Sequence, residues 1–313
     1  MDELLKKLHA KAGTDLLSLL SRKLSGSELG SLLLAVFDER VKGMTAANLL
    51  QAHQQNRFVH PATLDVLHFK SKELELLTRL AERGFEPLEL SPVSALGTSS
   101  VLGTVSQKKV LSATRGTEVL SDATNVMALH YAMGRKNGTR TAPLVKFCAT
   151  PRHLRTPAFT TPGFTPHFAV ACLVTAGRDS GDFAFEKAAF TDHLQSQRQL
   201  LKDLFQVELK SIKLQQRRGS PSAEALFTAL HDHLRPHFSV QADTTPAENN
   251  YYQGVQYKGV IEVAGKDIEL IDGGFVDWTQ QLLANKKERF LISGLGLEYL
   301  TRLVPPQTSH PRR

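Results

Sequence analysis

The residues of this 313-residue chain that could do chemistry gather in a few places. Tyr251 and Tyr252 open the run YYQGVQYKGVIEVAGKDIELIDGGFVDWTQQLL, and Gly294 and Gly296 follow in FLISGLGLEYLTRL. Two glycines one residue apart at a strand-to-helix junction let backbone lie against a planar or phosphorylated ligand, because neither carries a Cβ. The same pattern also describes a plain tight turn. Upstream, Asp122 and Thr124 stand at another strand-to-helix corner. A carboxylate and a hydroxyl there can cap the helix, or accept hydrogen bonds from a ligand cation in a partly dry site. Arg152 and Arg155 lie in a Pro/Thr-rich loop, either as surface cations or as partners for an anion. His193, His231, His233 and His237 lack HExxH or paired-ligand spacing, so no metal site is expected. Cys148 and Cys172 make neither a disulfide framework nor a zinc site and are read as buried thiols in a reducing compartment.

The elements that must position these groups follow from periodicity. Leu4, Leu5, Leu8, Leu16, Leu17, Leu19 and Leu20, then Leu29, Leu32, Leu33, Val36 and Phe37, recur at helical spacing. They predict a helical module over 1–56, packed on the rest with its leucines as core and with Ser27 capping the second helix. An amphipathic helix over 70–83 stops at Gly84 and is followed by a strand over 85–92 that proline ends. Short strands are expected over 101–105 and 109–113, then a helix over 125–132. Strand, long loop and strand follow over 144–177, a long helix over 185–205, a strand over 207–214, a helix over 221–234 and an edge at 238–240. Val255, Tyr257, Gly259 and Ile261 alternate, a turn falls at Gly265, and Ile268, Leu270 and Ile271 run back as a hairpin.

Composition narrows the setting. A hydrophobic fraction of 41% suits a globular chain with a proper core. No apolar run is long enough for a membrane span and the amino terminus has no signal-peptide core, which points to a cytoplasmic protein. The net charge of +7 permits an anionic partner, but the basic residues come as scattered pairs, so RNA binding is allowed and not demanded.

Taken in order, the YY-x-G strand, the GG-x-x-D segment and the terminal G-x-G-x-E helix resemble the closing half of the catalytic core of class II aminoacyl-tRNA synthetases, the histidyl branch most of all. The resemblance runs over 57–303 and leaves 304–313 as a disordered polar tail. It implies an α+β fold, an antiparallel β-sheet flanked by helices, beside the N-terminal helical module. It further implies that Tyr251 and Tyr252 line an amino-acid pocket and that Asp122 and Thr124 hold the substrate ammonium. Gly273, Gly274 and Asp277 would match the family's glycine turn, and Gly294, Gly296 and Glu298 its third motif, which holds nucleotide. Arg155 would be the catalytic arginine that grips the α-phosphate, with Arg152 as the fallback and Gly163 as the loop glycine. ATP with Mg would be the cofactor. The helix, glycine, strand and proline over 70–92 resemble the first motif, which implies a homodimer.

Several positions depart from the family pattern. Ala247 stands where the histidyl enzymes carry an arginine, Tyr299 replaces the arginine that stacks on adenine, Val170 replaces a glutamine, and the acid after the second-motif arginine is absent. Carboxylate attack on a phosphate brings two anions together, so each lost cation removes a few kcal/mol of barrier lowering, roughly. The short tail after the third motif leads us to expect no anticodon-binding domain. Three readings result. The first is a silent paralogue that binds an amino-acid-like small molecule as a sensor or regulatory subunit of a protein partner, like the synthetase-like regulator of ATP phosphoribosyltransferase. The second is an amino-acid ligase working through an adenylate, with Lys108, Lys109 or Arg115 as replacement cations. The third is an RNA-interaction protein. The retained pocket residues beside missing arginines favour the first.

Overall fold

The computed structural model describes residues 2–158, 164–247 and 251–305. Gly163, the tail beyond residue 305 and the side chain of Ala247 lie outside the described residues. Helices α1 (Asp2–Ala12), α2 (Leu16–Ser18), α3 (Gly26–Lys42) and α4 (Ala46–Gln55) form the N-terminal module. Ser25, rather than Ser27, caps α3, accepting from Glu28 N while the Glu28 carboxylate accepts from Ser25 N; this reciprocal pair fixes the start two residues early. None of these four helices buries a residue, and Leu4, Leu17, Phe37, Leu49 and Leu50 are exposed. The expectation that the leucine stripes are core is therefore corrected: periodicity reports an amphipathic face but not what covers it.

Helix α5 (Val66–Glu82) begins at Asp65, whose carboxylate accepts from His68 N at 3.1 Å, and ends before Gly84 with φ +80°. Strands β1 (Glu86–Pro87), β2 (Val93–Ala95), β3 (Ser112–Ala113) and β4 (Thr117–Val119) lead to α6 (Ala123–Lys136). The expected strands at 101–105 and 109–113 are instead helical turns over Thr98–Leu102 and Gln107–Lys109, with a strand only at β3. Buried Glu118 accounts for this by accepting from Gly97 N, Ser99 N and Gln107 Nε2, each at 2.9 Å, which curls the segment over its carboxylate. Then come β5 (Leu144–Ala149), β6 (Arg152–Leu154), β7 (His167–Ala169), β8 (Ala171–Arg178), α7 (Ala184–Phe205), β9 (Leu209–Arg217), α8 (Ala223–Leu234) and β10 (Val240–Ala247). The chain closes through β11 (Val255–Val263), β12 (Lys266–Val276), α9 (Trp278–Leu283), β13 (Glu288–Leu295) and α10 (Leu297–Leu303).

The central sheet has the order β1-β5-β8-β13-β12-β11-β9-β10. Its six inner strands pair antiparallel, but β1 runs parallel to β5 and β10 parallel to β9, so the sheet is mixed rather than wholly antiparallel. Alternation along the strands sorts side chains to two faces. Leu173, Tyr257, Ile271, Phe275 and Leu291 pack with Leu76, Leu80, Phe190 and Leu230 of α5, α7 and α8, and that face is sealed. Phe147, Cys172, Val174, Phe290 and Ile292 pack under Met127, Tyr131 and Trp278 of α6 and α9. These helices cover only part of the second face. Gln256, Lys258 and Asp272, which alternate with sealed-face residues, belong to its open part.

Candidate functional site

On the open part of the sheet lies a cavity of about 830 Å³. Its floor is β11, β12 and β13, one wall is the start of α6 with Tyr251 and Tyr252, and another is the segment curled over Glu118, contributing Ser99, Gly103 and Lys109. The capping and ligand-binding readings of Asp122 meet here, for the same carboxylate does one and faces the other. Asp122 Oδ1 accepts from Thr124 N at 2.9 Å and from Thr124 Oγ1 at 2.7 Å, while the Tyr251 hydroxyl donates to Oδ2. Burial opposes ionisation of Asp122, yet the Tyr251 and Thr124 hydrogen bonds and the Arg155 charge hold the carboxyl below its usual range. Burial pushes both tyrosine hydroxyls well up, helped by their acidic neighbours, so they remain donors.

Tyr252 repeats the pattern one residue on, donating to Asp272 Oδ2 at 2.9 Å, while Gln256 Nε2 donates to Oδ1. The two rings meet edge to face with centroids 4.8 Å apart. Sequence reasoning passed over Asp272, Gln256 and Lys258, although their place between Val255, Tyr257 and Ile271 in an alternating hairpin marked the opposite face. It also passed over Asn125 and His153, whose role depends on packing at the α6 corner. His153 Nε2 accepts from Ala123 N at 3.1 Å, and burial lowers the imidazole to about 4, so it is neutral with its proton on Nδ1. Cys172, 4.0 Å from that ring, is a thiol that burial and the Asp122 charge push well above its usual range.

The remaining expected residues separate. Arg155 lines the cavity, its guanidinium 5.5 Å over Phe168 and its Nε donating to Ser121 O at 3.4 Å. Gly294 and Gly296 also line it, Gly294 within β13 and Gly296 at the start of α10. Gly273 and Gly274 do not form a turn. Both lie inside β12, where a Cβ would fall 2.8 Å from Ile292 O at Gly273 and 2.7 Å from the Tyr252 ring at Gly274. Their missing side chains admit the tyrosine rings rather than a ligand. Glu298 is also turned away from the cavity. Buried at the start of α10, it accepts from Ala169 N at 3.2 Å and is paired with Arg152 at 2.8 Å and Arg302 at 2.5 Å. Arg152 is thereby spent. Of the replacement cations considered, Lys109 reaches the cavity, and Lys108 and Arg115 are not among its lining.

Of the residues expected to hold ATP with Mg, Arg155, Gly294 and Gly296 line the cavity and Glu298 does not. Tyr299 packs against Phe164 at 5.1 Å beside a small apolar pocket, Glu298 is closed off by two arginines, and Lys258 is drawn to Glu269 at 2.6 Å. Among the described residues no three His, Cys, Asp or Glu side chains are placed to hold a metal ion.

No family model matches the chain, and no curated protein matches it. Solved structures do. An ATP phosphoribosyltransferase regulatory subunit/histidyl-tRNA synthetase from Bacillus halodurans superposes with a TM-score of 0.61 at 12% identity, covering 80% of this chain and 83% of that one. The fold is that of a class II aminoacyl-tRNA synthetase core. Histidyl-tRNA synthetase from S. aureus gives a TM-score of 0.58 at 12% identity over 77% of this chain and 68% of its own. A histidine–tRNA ligase subunit from Alicyclobacillus acidocaldarius gives 0.56 at 12% identity over 79% and 97%. At such identities the likeness establishes architecture, and function must be argued from the cavity.

Proposed function

We propose that this synthetase-like chain binds an amino-acid-like small molecule in the cavity and acts as a sensor or regulatory subunit, without adenylating it. What carries the reading is one arrangement: an ionised Asp122, fixed from two sides by Thr124 and Tyr251, facing an open cavity of about 830 Å³. A carboxylate so held costs no reorganisation on meeting an ammonium group, and a charge-assisted hydrogen bond there is worth roughly 1.5–3 kcal/mol. Arg155 remains for an anionic group of the ligand. The engagement of Arg152, Glu298 and Lys258 elsewhere supports binding over adenylation.

The Bacillus halodurans structure bears the description of a regulatory subunit, and that kinship of fold supports a protein partner here. A homodimer through α5 is part of the same reading, supported by Val66, Leu67 and Leu74, which lie exposed on that helix. Light scattering checks the dimer. Among the described residues no helix is long and apolar enough to cross a membrane.

Pyrophosphate exchange with each of the twenty amino acids, run beside thermal melting with the same compounds, tests the proposal. We expect a stabilising shift from at least one amino acid, because a ligand held only by the folded state raises its stability, and no exchange. Exchange with any amino acid would replace this reading with that of an ATP-dependent ligase.

A further inference from the structure

Asp122 and Asp272 enter the cavity from different elements, the start of α6 and the middle of β12, and each receives a hydroxyl from one of two adjacent tyrosines. Neither has a salt-bridge partner among the described residues. Lys258, beside Asp272, is taken by Glu269, which also pairs with Lys213 at 2.7 Å. Arg217 reaches Asp272 through the amide of Gln256, donating to its Oε1. Water reaches the Asp272 carboxylate, yet its recessed position raises its pKa above the usual value despite the Gln256 and Tyr252 hydrogen bonds.

A second observation comes from the same walls. Asn125 and His153 line the cavity at 1% and 2% exposure, and Asn125 Nδ2 and His153 Nδ1 have no hydrogen-bond partner. Since His153 Nε2 accepts from Ala123 N, its free Nδ1 is a donor, like the Asn125 amide. Buried donors without acceptors each cost roughly 1–3 kcal/mol, so they mark where an acceptor belongs. The cavity thus presents two acceptor carboxylates without an ion pair among the described residues and two buried donors lacking an acceptor.

We propose that the ligand is a diamino acid, with its α-ammonium on Asp122, its second ammonium on Asp272 and its carboxylate meeting Arg155 and the donor side at Asn125. This rests on the amino-acid reading above and narrows it to a class with two cationic nitrogens. Neutral amino acids of the same length fill the same space and leave Asp272 uncompensated.

Isothermal titration at neutral pH tests this, using L-2,4-diaminobutyrate and L-ornithine against their uncharged isosteres L-norvaline and L-norleucine, L-lysine as the longer member, and 1,4-diaminobutane, which has no carboxylate. One diamino acid of a matched pair should bind at least tenfold tighter than its isostere. In Asp272→Asn that ratio should fall towards one while the isosteres still bind, and in Tyr252→Phe, which keeps the charge, the preference should persist. Isosteres that bind as tightly as the diamino acids, or a ratio unmoved by Asp272→Asn, would overturn the two-cation inference and leave the amino-acid reading standing. Binding of 1,4-diaminobutane alone, weakened by substitution of either aspartate, would support two cations and overturn the amino-acid reading. No binding by any of the six compounds would overturn the diamino-acid inference and leave the amino-acid reading to the melting test with the twenty amino acids.

Discussion

Two groups of buried polar residues on the central sheet, one on each face, differ in how they are satisfied. On the sealed face His193 is fully enclosed, its Nε2 bonded to Thr175 Oγ1 and its Nδ1 to Ser293 Oγ, each at 2.9 Å. Gln197 Nε2 donates to the same Ser293 at 2.9 Å, and the Tyr257 hydroxyl donates to Gln197 Oε1 at 3.1 Å. That network closes on itself and serves packing. On the open face Asn125 and His153 keep unpartnered atoms, and Asp122 and Asp272 have no salt-bridge partner among the described residues. One sheet carries both, and on the proposed reading the difference marks where the fold has yielded stability to a ligand.

If the comparison is right, damage to the sealed face should cost stability and spare selectivity. Phe190→Ala, which removes a fully buried ring 4.7 Å from Tyr257, should lower unfolding free energy by about 3–5 kcal/mol in urea titration. The folded fraction should keep the ligand preference of the parent. A smaller effect is expected from pH. Burial lowers His193 to about 3 and His153 to about 4, so both are neutral in the folded chain and protonate first in the unfolded one. Stability is therefore complete above the unfolded imidazole range near pH 6.5, roughly, and falls as pH drops towards the folded values. His193→Asn should flatten the loss between pH 6 and 4, roughly, as followed by melting temperature. An unchanged slope would contradict the enclosure of His193.

Two further substitutions sharpen the contrast on the open side. Glu118→Gln weakens the bonds that curl the wall segment and should cost roughly 1.5–3 kcal/mol of stability, with weaker ligand binding because Ser99, Gly103 and Lys109 lose their anchor. Gly274→Ala forces the Tyr252 ring or the sheet to move and should cost roughly 1–3 kcal/mol, read by thermal melting.

Much of the fold was legible in the chain, and the reason is periodicity. The hairpin over 255–271, the long helix near 185–205 and the strand leading into Gly294 stand where the alternation of apolar residues puts them. Asp122, Thr124, Tyr251 and Tyr252 were legible as a group because a capping corner and a tyrosine pair are local signals, and the structure brings them together around one cavity. Glu298 misled because sequence order does not reveal that Arg152 and Arg302 surround it. Gly273 and Gly274 misled because a glycine pair in a turn and one beneath two aromatic rings read alike. Asp272 escaped because its importance comes from what fails to pair with it. The N-terminal leucines repeat the lesson from the other side, since an apolar stripe does not disclose whether anything covers it.

The central claim is that Asp122 receives a ligand ammonium in a cavity that does no adenylation. Asn caps a helix as well as Asp does, so Asp122→Asn removes the charge and keeps the corner. Titrating the amino acids and diamino acids into the parent chain and this variant, with and without ATP, tests the claim most directly. The account predicts that at least one of them binds the parent without ATP and binds Asp122→Asn at least tenfold more weakly. Equal affinity in the two proteins, or binding that appears only with ATP, would contradict it.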